Sequence, residues 1–295
     1  MNLHLTRAVT GTTLYDAVSE ASSAVVIREY SSSFGLASRL LGEPVRTQVR
    51  NIYALVRVAD EIVDNPDPAL PRAARATMLD WLEDDVRHAI RTGYSGNLVV
   101  HAFARTAQAV GITDEIVAPF FASMRMDLDT TEHTPASFEA YVFGSAEVVG
   151  LMCLRAFVAA PDGPRDRADT YDRLAPGARS LGAAFQKLNF VRDLADDHDV
   201  LRRDYFPGLD VDRFCDADRD RILDDIDADL AAAAVVVPAL PTSSRRAVHA
   251  AHGTFGELAC RLRRTSAVEI RRTRVRVPTG VKLRIAAGAL RGSGS

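Results

Sequence analysis

The stretch Gln186-Lys-Leu-Asn-Phe-Val-Arg-Asp-Leu-Ala-Asp-Asp197 places Gln186, Asn189, Asp193 and Asp197 at spacings of three, four and four residues. Those are helical spacings, so two amides and two carboxylates share one stripe. Ala183, Leu188, Phe190, Val191 and Leu194 fill much of the remaining circumference, which predicts a buried helix. Polar groups on a buried helix need partners. A second pair at the same spacing, Asp60 and Asp64, lies in Arg57-Val-Ala-Asp-Glu-Ile-Val-Asp64. Ile52, Tyr53, Leu55, Val56, Val58, Ile62 and Val63 make that helix apolar nearly all round. Arg57 shares the face of Asp60, and Glu61 points elsewhere, either supporting the site from behind or solvated. Two readings follow. One is a buried network with arginines of neighbouring helices. The other is a site for divalent metal and an anionic substrate, since Mg²⁺ takes few protein carboxylates and fills its shell from water and phosphate. Arg192 adds a bidentate donor suited to phosphate oxygens.

Around these two stretches the pattern is helical almost throughout, with no strand alternation bounded by turn signals. Helices are expected over about 12–28, 30–42, 44–65, 71–93, 97–110, 113–128, 136–160, 167–198, 217–236, 242–270 and 279–290. Gly42 and Pro44 split two early helices, and Asn65-Pro-Asp-Pro68 ends the one carrying the first aspartate pair. Thr113 and Thr134-Pro135 read as helix starts. No linker is long enough to divide the chain. Residues 1–291 are therefore expected to form a single all-helical domain, with 292–295 a disordered tail.

The composition fits a soluble globular protein: 295 residues, 47% hydrophobic and 25% charged. Three scattered cysteines without metal-type spacing point to a reducing, cytoplasmic setting. The N-terminus has no signal-peptide pattern, and no uncharged apolar run reaches about 18 residues. The net charge of −3 is unevenly spread: residues 261–295 hold ten Lys and Arg against Glu269, a local +9. That segment reads either as an exposed basic helix and strap or as a surface for anionic lipid headgroups or diphosphates. Aromatic residues are not interleaved with the arginines, which argues against nucleic acid.

Three further segments each carry two readings. The run Tyr30-Ser-Ser-Ser-Phe34 either supplies hydroxyls to phosphate oxygens or simply caps a helix. Arg203-Asp-Tyr-Phe-Pro207 is either a flap over the second aspartate pair or an ordinary loop. The helix from Tyr141 to Ala160 mixes Gly144, Ser145, Ala146 and Gly150 with larger apolar residues; its small residues either make room for an apolar tail or allow close helix packing.

At these residues the chain resembles the squalene/phytoene synthase family, closest to bacterial phytoene synthases. The likeness runs from about Tyr30 to Leu283. It includes Ser31, Ser33 and Phe34, the segment 52–64, Met126-Asp-Leu128, Tyr141, Ala146-Glu-Val-Val-Gly150, the stretch 186–197 and Tyr205-Phe-Pro207. The resemblance implies an isoprenoid synthase fold, a helical bundle around a central apolar cavity with two aspartate motifs at its mouth. It implies Mg²⁺ or Mn²⁺ on Asp60, Asp64, Asn189, Asp193 and Asp197, and no NADPH. Substrate contacts would come from Ser33, Phe34, Arg57, Gln186, Asn189, Arg192, Arg203 and Tyr205. Tyr141 would face the reacting carbons and join the four aspartates as catalytic. The implied reaction is head-to-head (1′–1) condensation of two geranylgeranyl diphosphates to phytoene through a cyclopropyl diphosphate, the first committed step of carotenoid biosynthesis.

The chain departs from the family pattern at Lys187-Leu188, where Leu-Thr is usual, at Glu147, where Gly is common, and at Phe255, where many relatives carry Tyr. Gly35, Ala37 and Ser38 leave room for a C20 tail. The alternatives are a C30 synthase using farnesyl diphosphate and a non-catalytic lipid-binding relative. A greasy product suggests peripheral contact with the inner face of the cell membrane through basic residues 261–291.

Overall fold

The computed structural model describes residues 13–31, 33–67 and 69–291. The helices in chain order are α1 (Leu14–Tyr30), α2 (Ser33–Ser38), α3 (Val45–Val63), α4 (Arg72–Thr92), α5 (Leu98–Val110), α6 (Asp114–Asp129) and α7 (Pro135–Val142). There follow α8 (Val148–Val158), α9 (Arg167–Asp196), α10 (Asp216–Val236), α11 (Thr242–Arg264), α12 (Ala267–Ile270) and α13 (Thr279–Arg291). The described residues form no strand, only an isolated bridge between Glu132 and Asp204. The all-helical class expected from the pattern is what forms. The tail at 292–295 lies outside the described residues.

Local signals explain most boundaries. Thr134 caps α7 by accepting from the Ser137 N–H at 3.2 Å, while Thr113 occupies the N-cap of α6 without a side-chain bond. Gly93 and Gly111 end α4 and α5 in left-handed backbone. Four expected helices differ from their patterns. The one over 30–42 shrinks to the six residues of α2, because Ser31 turns extended and residues 39–41 make only i,i+3 turn bonds. The one over 242–270 breaks at Thr265, which turns extended, and Ser266 then caps α12. The one over 136–160 widens to π-helix at Phe143–Glu147, and the one over 167–198 runs into a π-turn at Asp197–Leu201. π-Turns cluster at functional sites because they re-aim side chains.

The thirty-residue α9 is the axis of the bundle. Its Leu188, Val191 and Leu194 join Leu223 and Ile226 of α10 and Leu258 and Leu262 of α11 in one core cluster. A second cluster gathers Ile52 and Leu55 of α3, Leu79 of α4, Phe103 of α5, Phe120 and Phe121 of α6 and Met152 of α8. Residues Pro135–Val158 are long and apolar enough by composition to cross a bilayer, but 67% of the most apolar 18-residue window in that stretch is buried inside the bundle. Burial between the two clusters accounts for its apolarity.

Close packing explains several of the small residues between α7, α8 and α9. A Cβ on Gly150 would sit 2.5 Å from the Ala178 carbonyl oxygen, and one on Gly182 would sit 2.5 Å from that of Ala146. The obstacle is backbone in both cases. Gly182→Ala is therefore expected to cost about 1–3 kcal/mol, the usual range for overpacking, read as a lower melting temperature with unchanged helical content by circular dichroism.

Candidate active site

A cavity of about 970 Å³ runs between α3, α8, α9 and α11 and opens at the aspartates. Its mouth is lined by Asp60 and Asp64 of α3, Gln186, Asn189 and Asp193 of α9, and Asp197 of the π-turn. Further in, the lining turns apolar, through Val149, Phe157, Leu174, Ala247 and Ala251. The two stripes read from spacing thus face one hollow. Ala37 and Ser38 line it as well. The side chains of Ser33 and Phe34 lie outside the described residues.

The arginines hold the mouth together. Arg203 is buried, and its Nη1 donates to Asp64 Oδ1 at 2.6 Å. The same nitrogen stands 3.6 Å from Asp127 Oδ1, and Nη2 donates to the Val63 carbonyl at 3.2 Å. Arg192 donates through Nε to the adjacent Asp193 at 2.9 Å, and Arg274 pairs with the same carboxylate at 2.8 Å. Arg57 pairs with Glu61, lies 3.8 Å from Asp60 and sits over the Tyr30 ring. Its Nε is buried with no hydrogen-bond partner. Glu61, four residues on from Arg57, thus serves the site by gripping it, the supporting one of its two expected roles.

Asp127 is a member of the site that spacing did not single out. It accepts from Tyr141 Oη at 2.8 Å and from Tyr205 Oη at 3.0 Å. Phe190 stacks on Tyr205 with ring centres 4.0 Å apart, and His133 packs against both tyrosines. Arg276 and Lys282 also reach the lining with Arg274, so part of the basic C-terminal segment turns into the cavity. Elsewhere that segment meets acids: Arg263 pairs with Asp224 and Asp227 of α10, and Arg271 with Asp199.

The departures from the family pattern find plain places. Lys187 pairs with Asp225 and Asp229 of α10. Glu147 pairs with Arg179 at 2.6 Å rather than lining the cavity. Phe255 lines the cavity and stacks on Phe185 at 3.7 Å.

The electrostatics follow from packing carboxylates at the end of an apolar hollow. Burial, then the neighbouring Asp64 charge, pushes Asp60 up to about 8. Burial, then Asp193, does the same for Asp197, also to about 8. Burial raises Asp127 to about 6 against the opposing pull of Arg203. Among the described residues no three acid, histidine or cysteine side chains converge tightly enough to hold an ion alone. Paired carboxylates that resist ionisation, facing each other across a mouth with an unsatisfied Arg57 donor, fit a cation completed by phosphate oxygens rather than a closed protein cage.

The chain matches the squalene/phytoene synthase family over residues 27–280 and belongs to it. It is 32% identical to a 15-cis-phytoene synthase of Enterobacter agglomerans over 180 residues, which cover 58% of this chain and 57% of the relative. It is 30% identical to phytoene synthase 3 of Zea mays over 175 residues, which cover 58% of this chain and 39% of that one. The matched stretch thus spans about half the length, or less, of these relatives. The fold is also that of a dehydrosqualene synthase crystal structure, with a TM-score of 0.76 at 18% identity over 93% of this chain and 96% of that one. A squalene synthase of Alicyclobacillus acidocaldarius superposes with a TM-score of 0.71 at 17% identity over 86% and 96%. The isoprenoid synthase fold expected from the motifs is present.

Raised carboxylate pKa values give stability a sign. A carboxyl that holds its proton more tightly when folded favours the fold below the unfolded pKa near 4, and that contribution is lost as pH rises through the folded value. In EDTA the melting temperature is therefore expected to fall between about pH 4 and 8 from this cluster. Asp60→Asn should flatten that decline in differential scanning calorimetry; an unchanged slope would mean that burial and the neighbouring acids do not raise Asp60.

Proposed function

We propose that this protein condenses two geranylgeranyl diphosphates head to head into phytoene, opening carotenoid biosynthesis. The observation that carries this reading is the polarity of one cavity: facing aspartate pairs and arginines at the mouth, apolar walls behind. Along α9 the lining runs from Leu174 to Asp193, about 28 Å at 1.5 Å per residue, so long prenyl tails can lie beside that helix while their diphosphates stay at the mouth. Relatives named phytoene synthases, at 30–32% identity, support the C20 substrate.

In this reading Asp60 and Asp64 on one side, and Asn189, Asp193 and Asp197 on the other, would hold Mg²⁺ or Mn²⁺, which neutralises the departing diphosphate. Arg57 offers its unpaired Nε to the same group. Arg192 and Arg274 exchange the Asp193 carboxylate for diphosphate oxygens, while Arg203 keeps Asp64 in place. Gln186, which donates to Ser145 at 3.4 Å, completes the α9 stripe. The aromatic group of Tyr141, Phe190 and Tyr205 lies where mouth meets tunnel and gives electron-rich faces to cationic carbons. The apolar walls keep water from those cations. No hydride is transferred on the way to phytoene, so no reductant is needed. Exposed Leu283 and Leu290 of α13 stand beside Arg284 and Arg291, a pattern suited to peripheral contact with an anionic membrane.

Purified protein incubated with Mg²⁺ and geranylgeranyl diphosphate, without NADPH, is expected to yield phytoene by mass spectrometry. Asp60→Ala and Asp193→Ala should each lower turnover by at least about 10²-fold, the loss typical of removing electrostatic stabilisation. A C30 product from farnesyl diphosphate alone would replace the C20 substrate; no product from either would favour a lipid-binding role. Flotation with anionic liposomes should weaken at high salt and after Leu283→Glu with Leu290→Glu.

A further inference from the structure

Asp127 stands where two hollows meet. Behind the wall formed by Asp64, Asp127, Leu201 and Arg203 lies a second hollow of about 380 Å³, open to solvent, with Arg75, Asp129, Thr130 and Thr131 in its lining. Those four wall residues line both spaces. Asp127 is well buried, with only 5% of its side chain exposed. It nevertheless holds both tyrosine hydroxyls of the cavity, at 2.8 and 3.0 Å. Neither tyrosine has a low pKa of its own: burial first, then the Asp127 charge, raises both well above the ordinary value. A hydroxyl so placed accepts a proton only if it passes its own proton on at the same time. Asp127 is the group placed to take it.

Resting on the condensation reading above, we propose that Asp127 draws the proton released from the carbocation out through Tyr141 and delivers it to water in the rear hollow. The C–H bond of the newly attached carbon, one carbon removed from the cationic centre, breaks, and its electron pair forms the bond to that centre that closes the cyclopropane. That proton passes to Tyr141 Oη, the hydroxyl's own proton moves to Asp127 Oδ2, and Asp127 returns it to bulk solvent. Asp127 acts through Tyr141 and is a positioning residue and proton acceptor, not a group that touches the substrate.

The neighbourhood suits that task. The charged or titratable groups facing Asp127 are Asp60 and Asp64 from α3, Tyr141 from α7, Asp197 from the π-turn, and Arg203 and Tyr205 from the flap. Burial lifts Asp127 to about 6 against Arg203, close to the neutral range in which a general base works best. Arg203 stays charged, since the acids around it raise its own pKa further. His133, packed on both rings, is held toward its neutral form by burial and places no added charge on the relay.

The test compares wild type with Asp127→Asn, which keeps size and one acceptor, and with Asp127→Ala, which opens a path from the rear hollow to Tyr141. Asp127→Asn should lower kcat by about 10²-fold or more, within the range of general acid–base catalysis, while KM and the affinity for an unreactive thiodiphosphate analogue stay within about twofold. Sodium formate should restore turnover to Asp127→Ala in a concentration-dependent manner and leave wild type unchanged. The relay is overturned by an Asp127→Asn enzyme with near-wild-type kcat. It is equally overturned by an Asp127→Ala enzyme whose analogue binding is intact and whose kcat ignores formate. Should Asp127→Ala fail to fold, the kcat and KM of Asp127→Asn decide alone. Wild-type turnover reports the condensation reading itself, so its failure is separate from that of the relay. If wild type proves inactive, infrared titration of wild type against Asp127→Asn decides: a carboxyl band that exchanges with solvent supports the relay, and a band silent across pH 4 to 9 overturns it.

Discussion

The mouth of the cavity depends on one ion pair, the buried Arg203 against the partly exposed Asp64, with Asp127 on the far side of the same guanidinium. Carboxylates from α3, α6 and the end of α9 meet there, and burial first, then the neighbouring acids, pushes Asp60, Asp127 and Asp197 toward their neutral forms. A fixed cation between them keeps the helices from being driven apart. The chain accepts local strain to place it. The π-turn after α9 ends at Arg202 with φ of 57°, a left-handed backbone that costs an L-residue about 1–2 kcal/mol. The next residue, Arg203, turns back inward with its N–H on the Asp197 carbonyl at 2.9 Å. Asp204 then donates its N–H to Thr131 at 2.7 Å, which ties the flap to the end of α6. The segment from Arg203 to Pro207 is therefore built into the wall.

That wall sets the chemical gradient along the cavity. On its charged side, Asp193 is held by Arg192 and Arg274, so its negative charge is met before any ligand arrives. An anionic ligand with its own counterions can take over those arginines without leaving either charge stranded. On the apolar side the lining offers little to a polar molecule and much to a hydrocarbon tail. Phe185 and Phe255 stack there, where a tyrosine hydroxyl at 255 would have set a polar group within the hollow.

What the sequence disclosed tracks the range of the interactions. Helical spacing is local, so the stripe of Gln186, Asn189, Asp193 and Asp197 and the pair Asp60 and Asp64 were legible at once. Asp127 lies in the family-like segment Met126-Asp-Leu128, but its own helix places no matching acid one turn away. Its meaning lies in contacts with Tyr141 and Tyr205, 14 and 78 residues on. Arg274 reaches Asp193 across 81 residues, and nothing in a run of basic residues says which of them turns inward. The π-turns were equally hidden, because an inserted backbone residue leaves the apolar pattern of a helix nearly intact. Glu61 sits off the face of the Asp60 and Asp64 carboxylates, yet its i,i+4 spacing from Arg57 is what lets the two pair.

The rotation of α9 is the final constraint. Gly182 meets the Ala146 carbonyl, Lys187 meets Asp225 and Asp229, and Gln186, Asn189 and Asp193 meet the cavity. These three faces belong to one helix and cannot move independently. A one-residue slip would turn α9 by about 100°, carrying Lys187 toward the cavity and a Cβ into the backbone of the segment before α8. The glycine contact and the lysine pairs therefore hold the register in which both aspartates of the stripe face α3. A buried polar network would need only that every polar group find a partner. This helix instead turns its amide and carboxylate stripe toward an open cavity, where Asp193 is met by Arg192 and Arg274 and Gln186 by Ser145, so the paired groups line a space that a ligand can enter.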